Sequence, residues 1–182
     1  EILRCLVGSE MCIRDRDYRA LGGRTVQEIR LAKTAGFCFG VNRAVSMVYA
    51  MLEEGKTVYT LGPIIHNPQV VTDLEKRGVV IVDETGEVPQ GAVLVVRTHG
   101  VPAAVTQAIK ERGLDCCDAT CPFVSKIHQI VAKRSEGGDI VLIAGDPAHP
   151  EVQGIRGHCP GKSYVFNGVG QLEDLLLSLI HI

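Results

Sequence analysis

Five short motifs carry side chains able to do chemistry. Cys38 stands in Ala35-Gly36-Phe37-Cys38-Phe39-Gly40, and His66 in His66-Asn67-Pro68. His99 stands in Thr98-His99-Gly100-Val101-Pro102, and Cys121 in Asp118-Ala119-Thr120-Cys121-Pro122. His149 opens His149-Pro150-Glu151. Soft thiolates favour zinc or an iron–sulfur cluster. Imidazoles and carboxylates hold anions or metals and move protons. Four of the five are followed within three residues by a proline suited to the first turn of a helix. The pattern predicts all five at strand-to-helix junctions, along the carboxyl edge of a parallel sheet. Open α/β sheets bind their ligands at that edge. Helix N-termini there offer free N–H groups and a positive dipole end, which suits an anion such as a phosphate.

The other reactive residues weigh less. His128 falls in mid-helix, four residues after Val124, and reads as structural or surface. His158 and Cys159 lie in a Gly/Pro-rich turn with no clear partner, and Cys116 and Cys117 end a strand and read as packing residues. No C-x-x-C pair is present, so the zinc-ribbon and thioredoxin signatures are absent. Cys38 and Cys121 are too far apart for a local metal knuckle, so a shared metal requires the fold to bring two loops together. Zinc sites and clusters usually take four protein ligands. Two thiolates therefore demand more ligands than this chain supplies.

The elements that must position these residues alternate. Val26–Ala32 alternates apolar and polar residues, as a half-buried strand does. A helix is predicted over Val41–Leu52, stopped at Gly55. Strands follow at Thr57–Leu61, Val79–Val82, Ala92–Val96 and Ile140–Ala144, the last two continuous apolar runs of the kind covered on both faces. Helices are predicted over Pro68–Lys76, Pro102–Arg112 and Pro122–Ser135. This alternation argues for an α/β fold of small parallel sheets with helices on both faces. It restarts near Cys121, which places a domain boundary there.

Composition narrows the classes. The chain has 182 residues, 46% hydrophobic and 22% charged, ordinary for a globular α/β protein with a real core. A net charge of -2 gives no field favouring nucleic acid or a membrane surface. Trp is absent and aromatics total 4%, against base-stacking platforms. No apolar run approaches the roughly 20 residues of a membrane span. Seven cysteines, an odd number without a convincing secretory signal, fit a reduced cytoplasmic protein better than a disulfide framework.

The two ends read differently. Residues 10–16 and 177–182 back-translate to DNA strings that are reverse complements over nearly their whole length. The pair resembles the transposase mosaic-end adapter of sequencing libraries, read in both orientations. On this reading residues 1–16 and 177–182 are adapter-derived, and Cys5, Cys12 and His181 carry no function.

The ordered motifs resemble the 4-hydroxy-3-methylbut-2-enyl diphosphate reductase family. The likeness rests on Ala35-Gly36-Phe37-Cys38-Phe39-Gly40-Val41-Asn42-Arg43-Ala44, Ile65-His66-Asn67, Thr98-His99-Gly100-Val101, Asp118-Ala119-Thr120-Cys121-Pro122 and His149-Pro150-Glu151-Val152-Gln153-Gly154. It runs from about Val26 to about Asp174. The resemblance implies three small α/β domains around a [4Fe-4S] cluster. Residues 26–121 would form the first, with 26–32 assigned either to it or to the third, and residues 122–176 would form part of the second. It implies Cys38 and Cys121 as two of three thiolate ligands, the third lying downstream of this chain. It implies His66, His99 and His149 around the substrate diphosphate and Glu151 as proton donor to the departing hydroxyl. The implied reaction is reductive dehydroxylation of an allylic diphosphate to isopentenyl and dimethylallyl diphosphate, with ferredoxin or flavodoxin as electron donor. The rival reading is a non-enzymatic iron–sulfur or zinc protein with a structural or electron-transfer role, which gives Glu151 and the histidines no task.

Overall fold

Short apolar strands alternate with amphipathic helices through the computed structural model, which describes Ala32 and residues 35–180. The strand expected over Val26–Ala32 lies outside the described residues apart from Ala32. The order is α1 (Phe39–Glu53), β1 (Val58–Leu61), α2 (Pro68–Lys76), β2 (Val80–Val82), a 3-10 turn (Thr85–Glu87), β3 (Val93–Val96), α3 (Ala103–Glu111) and β4 (Asp115–Asp118). Then come α4 (Pro122–Glu136), β5 (Val141–Ala144), α5 (Pro150–Arg156), β6 (Ser163–Phe166) and α6 (Val169–Ile180). Apart from Val26–Ala32, the predicted strands and helices all form, with ends shifted by a residue or two.

Strands β2-β1-β3-β4 make one fully parallel sheet in that order. β3 lies inside it and is buried along its whole length. Successive side chains of a strand point to opposite faces. Val93 and Val95 accordingly join Ala44, Val45, Val48, Val70 and Leu74 from α1 and α2 on one face. Leu94 and Val96 join Val88, Val101, Ile109 and Leu114 on the other, under α3. Each fully buried Val or Leu contributes about 1.5–3 kcal/mol of transfer free energy. β4 reads Asp-Cys-Cys-Asp and forms an edge, where charged residues discourage further strand pairing. A polar clasp joins α1 to α2: the Tyr49 hydroxyl donates to Asp73 at 2.6 Å, and Arg77 donates to the same carboxylate at 2.7 Å.

β5 and β6 pair in parallel as a separate two-stranded sheet. The apolar run of β5 forms its strand, yet only Ile143 is buried, and Leu142 stays 39% exposed. With two strands among the described residues, one face of this sheet lacks the cover that β3 has. β6 and α6 had no counterpart among the predicted elements, since Ser163–Phe166 is short and follows a Gly/Pro-rich turn. No helix of the described residues is long and apolar enough to cross a membrane.

Candidate functional site

Hydrogen bonding between neighbouring chains continues past the strand ends, and that fixes the loops. Beyond β1 and β3, Thr98 donates to the Ile64 carbonyl through its backbone N–H at 3.3 Å and its hydroxyl at 3.1 Å. Beyond β3 and β4, Ala119 N–H donates to Val96 and Cys121 N–H to Thr98, at 3.1 and 2.9 Å. The loops bearing His66, His99 and Cys121 are thus stitched together in the order of the strands beneath them.

Each of these loops opens a helix. Asn67 is the N-cap of α2, its Oδ1 accepting from the Gln69 and Val70 N–H groups, with Pro68 in the first turn. His66 stands just before it. Pro102 caps α3 after His99, with Gly100 between them at φ +70°, a left-handed conformation that glycine adopts without strain. His149 caps α5, and an Asp146 turn presents it: Asp146 accepts from the Ala148 and His149 N–H groups.

The three histidines meet. Ring centroids lie 4.6 Å apart for His66–His99, 5.7 Å for His66–His149 and 5.5 Å for His99–His149. Their ligating nitrogens all fall within 4.8 Å of one another. His149 Nδ1 accepts the Glu151 N–H at 3.2 Å, so the proton of its neutral ring sits on Nε2. Burial, the two neighbouring imidazoles and Arg97 push His99 down to about 4, so it is neutral at physiological pH. His99 Nδ1 and Arg97 Nε are buried without a hydrogen-bond partner. Unsatisfied buried polar groups are rare in folded proteins, and here they gather beside the histidines. A cavity of 280 Å³ adjoins them, lined by Phe37, His66, Asn67, Thr98 and His99.

The two cysteines are also brought together. Cys38 caps α1 and Cys121 caps α4, and neither thiol is used in a capping hydrogen bond. Gly40 in the first turn of α1 lies directly against Cys121: a Cβ there would fall 2.6 Å from the Cys121 Sγ. Arg43 ties the two loops, donating to the Thr120 and Asp118 carbonyls at 3.2 and 3.4 Å. Asn42 donates to Phe37 O at 2.8 Å and braces the turn before Cys38. Each cysteine stands at a helix N-terminus, a place that suits negative charge. Phe39 and Phe123, each following its cysteine, are exposed.

All five predicted loop residues therefore occupy helix-opening loops, and Glu151 sits half-buried in the first turn of α5. Two residues depart from the sequence reading. His158 has a partner after all: its Nδ1 donates to Gly154 O at 2.9 Å, and its ring stacks on His128 at 4.1 Å. His128 is buried, the structural of its two readings. Cys116, expected to be packed, is exposed as a residue because β4 is an edge strand. Its thiol lines a second cavity of 480 Å³ between α3 and α4, and burial pushes it up to about 11. Burial also raises Cys117 and Cys159. Sequence reasoning gave Gly40, Arg43 and Arg97 no role; the first two stood inside a quoted motif, and Arg97 carried no signal beyond preceding Thr98-His99.

Known proteins resemble this chain in sequence and fold. The model of the family described as LytB protein matches residues 29–179. The 4-hydroxy-3-methylbut-2-enyl diphosphate reductase of Geobacter sp. (strain M21) is 45% identical over 148 residues, covering 81% of this chain and 52% of that protein. A solved (E)-4-hydroxy-3-methyl-but-2-enyl diphosphate reductase superposes with TM-score 0.70 at 40% identity, over 82% of this chain and 54% of that one. The E-1-hydroxy-2-methyl-but-2-enyl-4-diphosphate reductase of Plasmodium falciparum gives 0.71 at 32% identity, over 76% and 44%. The chain spans about half the length of the curated relatives it matches. A family match over most of the chain, relatives at this identity and the same fold agree: the chain belongs to the LytB protein family.

Proposed function

We propose that this chain forms one wall of the active site of a 4-hydroxy-3-methylbut-2-enyl diphosphate reductase. The observation that carries the proposal is the meeting of His66 and His99, from loops after strands of the first sheet, with His149, from the loop after β5 of the second, beside the linked Cys121 and Cys38 loops. Residues 26–121 act as the first α/β domain and 122–176 as part of a second. The three imidazoles hold the substrate diphosphate. Ring N–H groups donate to its oxygens, and the N-termini of α2 and α5 add their positive dipole ends. His149 donates from Nε2, because its Nδ1 is engaged by the Glu151 N–H. A metal bound by the triad is the competing idea. The Arg97 guanidinium, near enough to act on His99, disfavours a cation there and favours an anion.

Cys38 and Cys121 suit an iron–sulfur group by donor type, and their thiols are free of capping bonds. They would be two ligands of a [4Fe-4S] cluster, the third thiolate coming from outside this chain. When bound, the cluster supplies electrons from ferredoxin or flavodoxin in the cytoplasm and a Lewis-acidic iron. Dehydroxylation takes two electrons and two protons: one proton leaves with the hydroxyl as water, and the other ends on the allyl carbon. Glu151 passes the first from its carboxyl to the departing oxygen. The helix bearing it also carries His149, so substrate anchoring and proton delivery share one rigid element.

The test uses the full-length gene product purified without oxygen. It is expected to show broad iron–sulfur absorption and to reduce the allylic diphosphate. Cys38→Ser or Cys121→Ser is expected to abolish the absorption, and Glu151→Gln to keep it while losing turnover. Normal turnover by Glu151→Gln would remove the proton-donor role. Absence of turnover by an intact, cluster-loaded protein would remove the enzyme reading.

A further inference from the structure

His128 lies on α4, away from the diphosphate-binding histidines in sequence, and is 6% exposed. Its ring is wedged between the two segments that carry site residues. On one side is Gly100, directly after His99: a Cβ at Gly100 would fall 2.7 Å from His128 Cε1 and 3.1 Å from Thr120 Cγ2. On another is Gly154 of α5, the helix carrying His149 and Glu151. A Cβ there would fall 3.2 Å from His128 Nε2 and 3.3 Å from the His99 carbonyl oxygen. The His158 ring stacks on it at 4.1 Å with planes 16° apart. His158 is itself anchored to α5 through its Nδ1–H bond to Gly154 O.

The packing is tight on the two glycine sides, and elsewhere the ring borders the 480 Å³ cavity between α3 and α4. Two glycines let backbone come against the ring, and interiors packed to this density pass a displacement on to their neighbours instead of absorbing it. The His99 loop follows β3 of the first sheet, whereas α5 follows β5 of the second. Few direct bonds join these units near the site. The Ala103 N–H to Gly157 O bond, at 3.3 Å, is one of them. Gly154 also comes against the His99 carbonyl and Gly157 against Pro102, so the spacing of His99 from His149 rests on these contacts together with the ring that stands between Gly100 and Gly154.

We infer that His128 is a positioning residue whose ring, backed by His158, sets the separation between His99 and the His149–Glu151 turn. The inference rests on the proposed diphosphate role of the histidines but is read out separately from it. Its contribution is steric, because His128 Nε2 makes no hydrogen bond.

The experiment uses the full-length gene product and two readouts. One is the ring-nitrogen NMR signals of His99 and His149; the other is binding of inorganic pyrophosphate. His128→Ala is expected to shift both sets of signals and to weaken pyrophosphate about tenfold or more, as misplacements near 1 Å do. His158→Ala removes the ring that backs the wedge and should reproduce both effects; it carries the test should His128→Ala not fold. Val88→Ala, a cavity in the distant core, should lower thermal stability comparably and change neither readout. Unchanged His99 and His149 signals in the folded wedge variants overturn the inference, whatever pyrophosphate does. Shifted signals in a protein that never binds pyrophosphate leave the wedge standing and overturn the diphosphate reading.

Discussion

Replacing Gly40 by Ala should separate cluster loading from folding. The new Cβ would lie 2.6 Å from the Cys121 Sγ and 3.1 Å from its Cβ. Non-bonded carbon contacts settle near 3.5–4.0 Å, so the thiol must retreat by about 1 Å. α1 cannot retreat in its place. Ala44, Val45 and Val48 are fully buried beneath it, and Arg43 bonds it to the Cys121 loop. Metal–ligand distances tolerate only about 0.2 Å, so a displaced or rotated Cys121 is lost as a ligand. The fold should suffer far less. Overpacking costs about 1–3 kcal/mol, and replacing Gly by Ala within a helix returns about 0.8–1 kcal/mol. The net loss is about 0–2 kcal/mol, a fall of up to about 8 °C in melting temperature for a chain of this size. Iron content, visible absorption and a thermal melt, measured anaerobically beside Cys121→Ser, decide it. Iron binding at the wild-type level in Gly40→Ala would refute the argument that this contact sets the thiol.

Acid should weaken the fold in a defined window. His99 and His128 are both pushed from 6.5 down to about 4 by burial, so between those values the unfolded chain binds protons that the folded chain refuses. Stability is then present above about pH 6.5 and is lost as pH falls toward 4, by up to about 3 kcal/mol for His128. Urea midpoints at pH 7, 5.5 and 4.5 measure this, and a flat profile would exclude the buried neutral imidazoles. Asn67→Ala removes the side-chain cap of α2 and should cost about 1 kcal/mol, read as a lower urea midpoint; because the same turn carries His66, pyrophosphate binding should weaken with it.

Local punctuation explains what was legible in the sequence. Pro68, Pro122 and Pro150 each begin a helix, and Gly55, Gly113 and Gly137 follow helix ends, so α1 to α4 could be bounded to within two residues. The same punctuation put the reactive residues in helix-opening loops, because cap and proline stand beside them in the chain. Burial of β5 was not legible. An apolar run predicts cover only where a neighbouring layer exists, and two strands do not supply one on both faces. Cys116 failed for a related reason: its strand is an edge, a fact of strand order and not of strand sequence.

His128 shows where such reasoning ends. Along α4 it is one buried position among Val124, Val131 and Ser135, and helical spacing assigns it to the core. Nothing in that spacing says that the core at this point is made of two glycine backbones, Gly100 and Gly154, belonging to different sheets. The glycines in Thr98-His99-Gly100 and His149-Pro150-Glu151-Val152-Gln153-Gly154 are the sequence's only trace of it, and each alone reads as a turn or a helix residue. Their shared requirement, room for one imidazole ring, exists only in three dimensions. The reactive side chains could be found one motif at a time because each sits beside its own cap. Their separation could not, because it rests in part on a residue that belongs to none of their motifs.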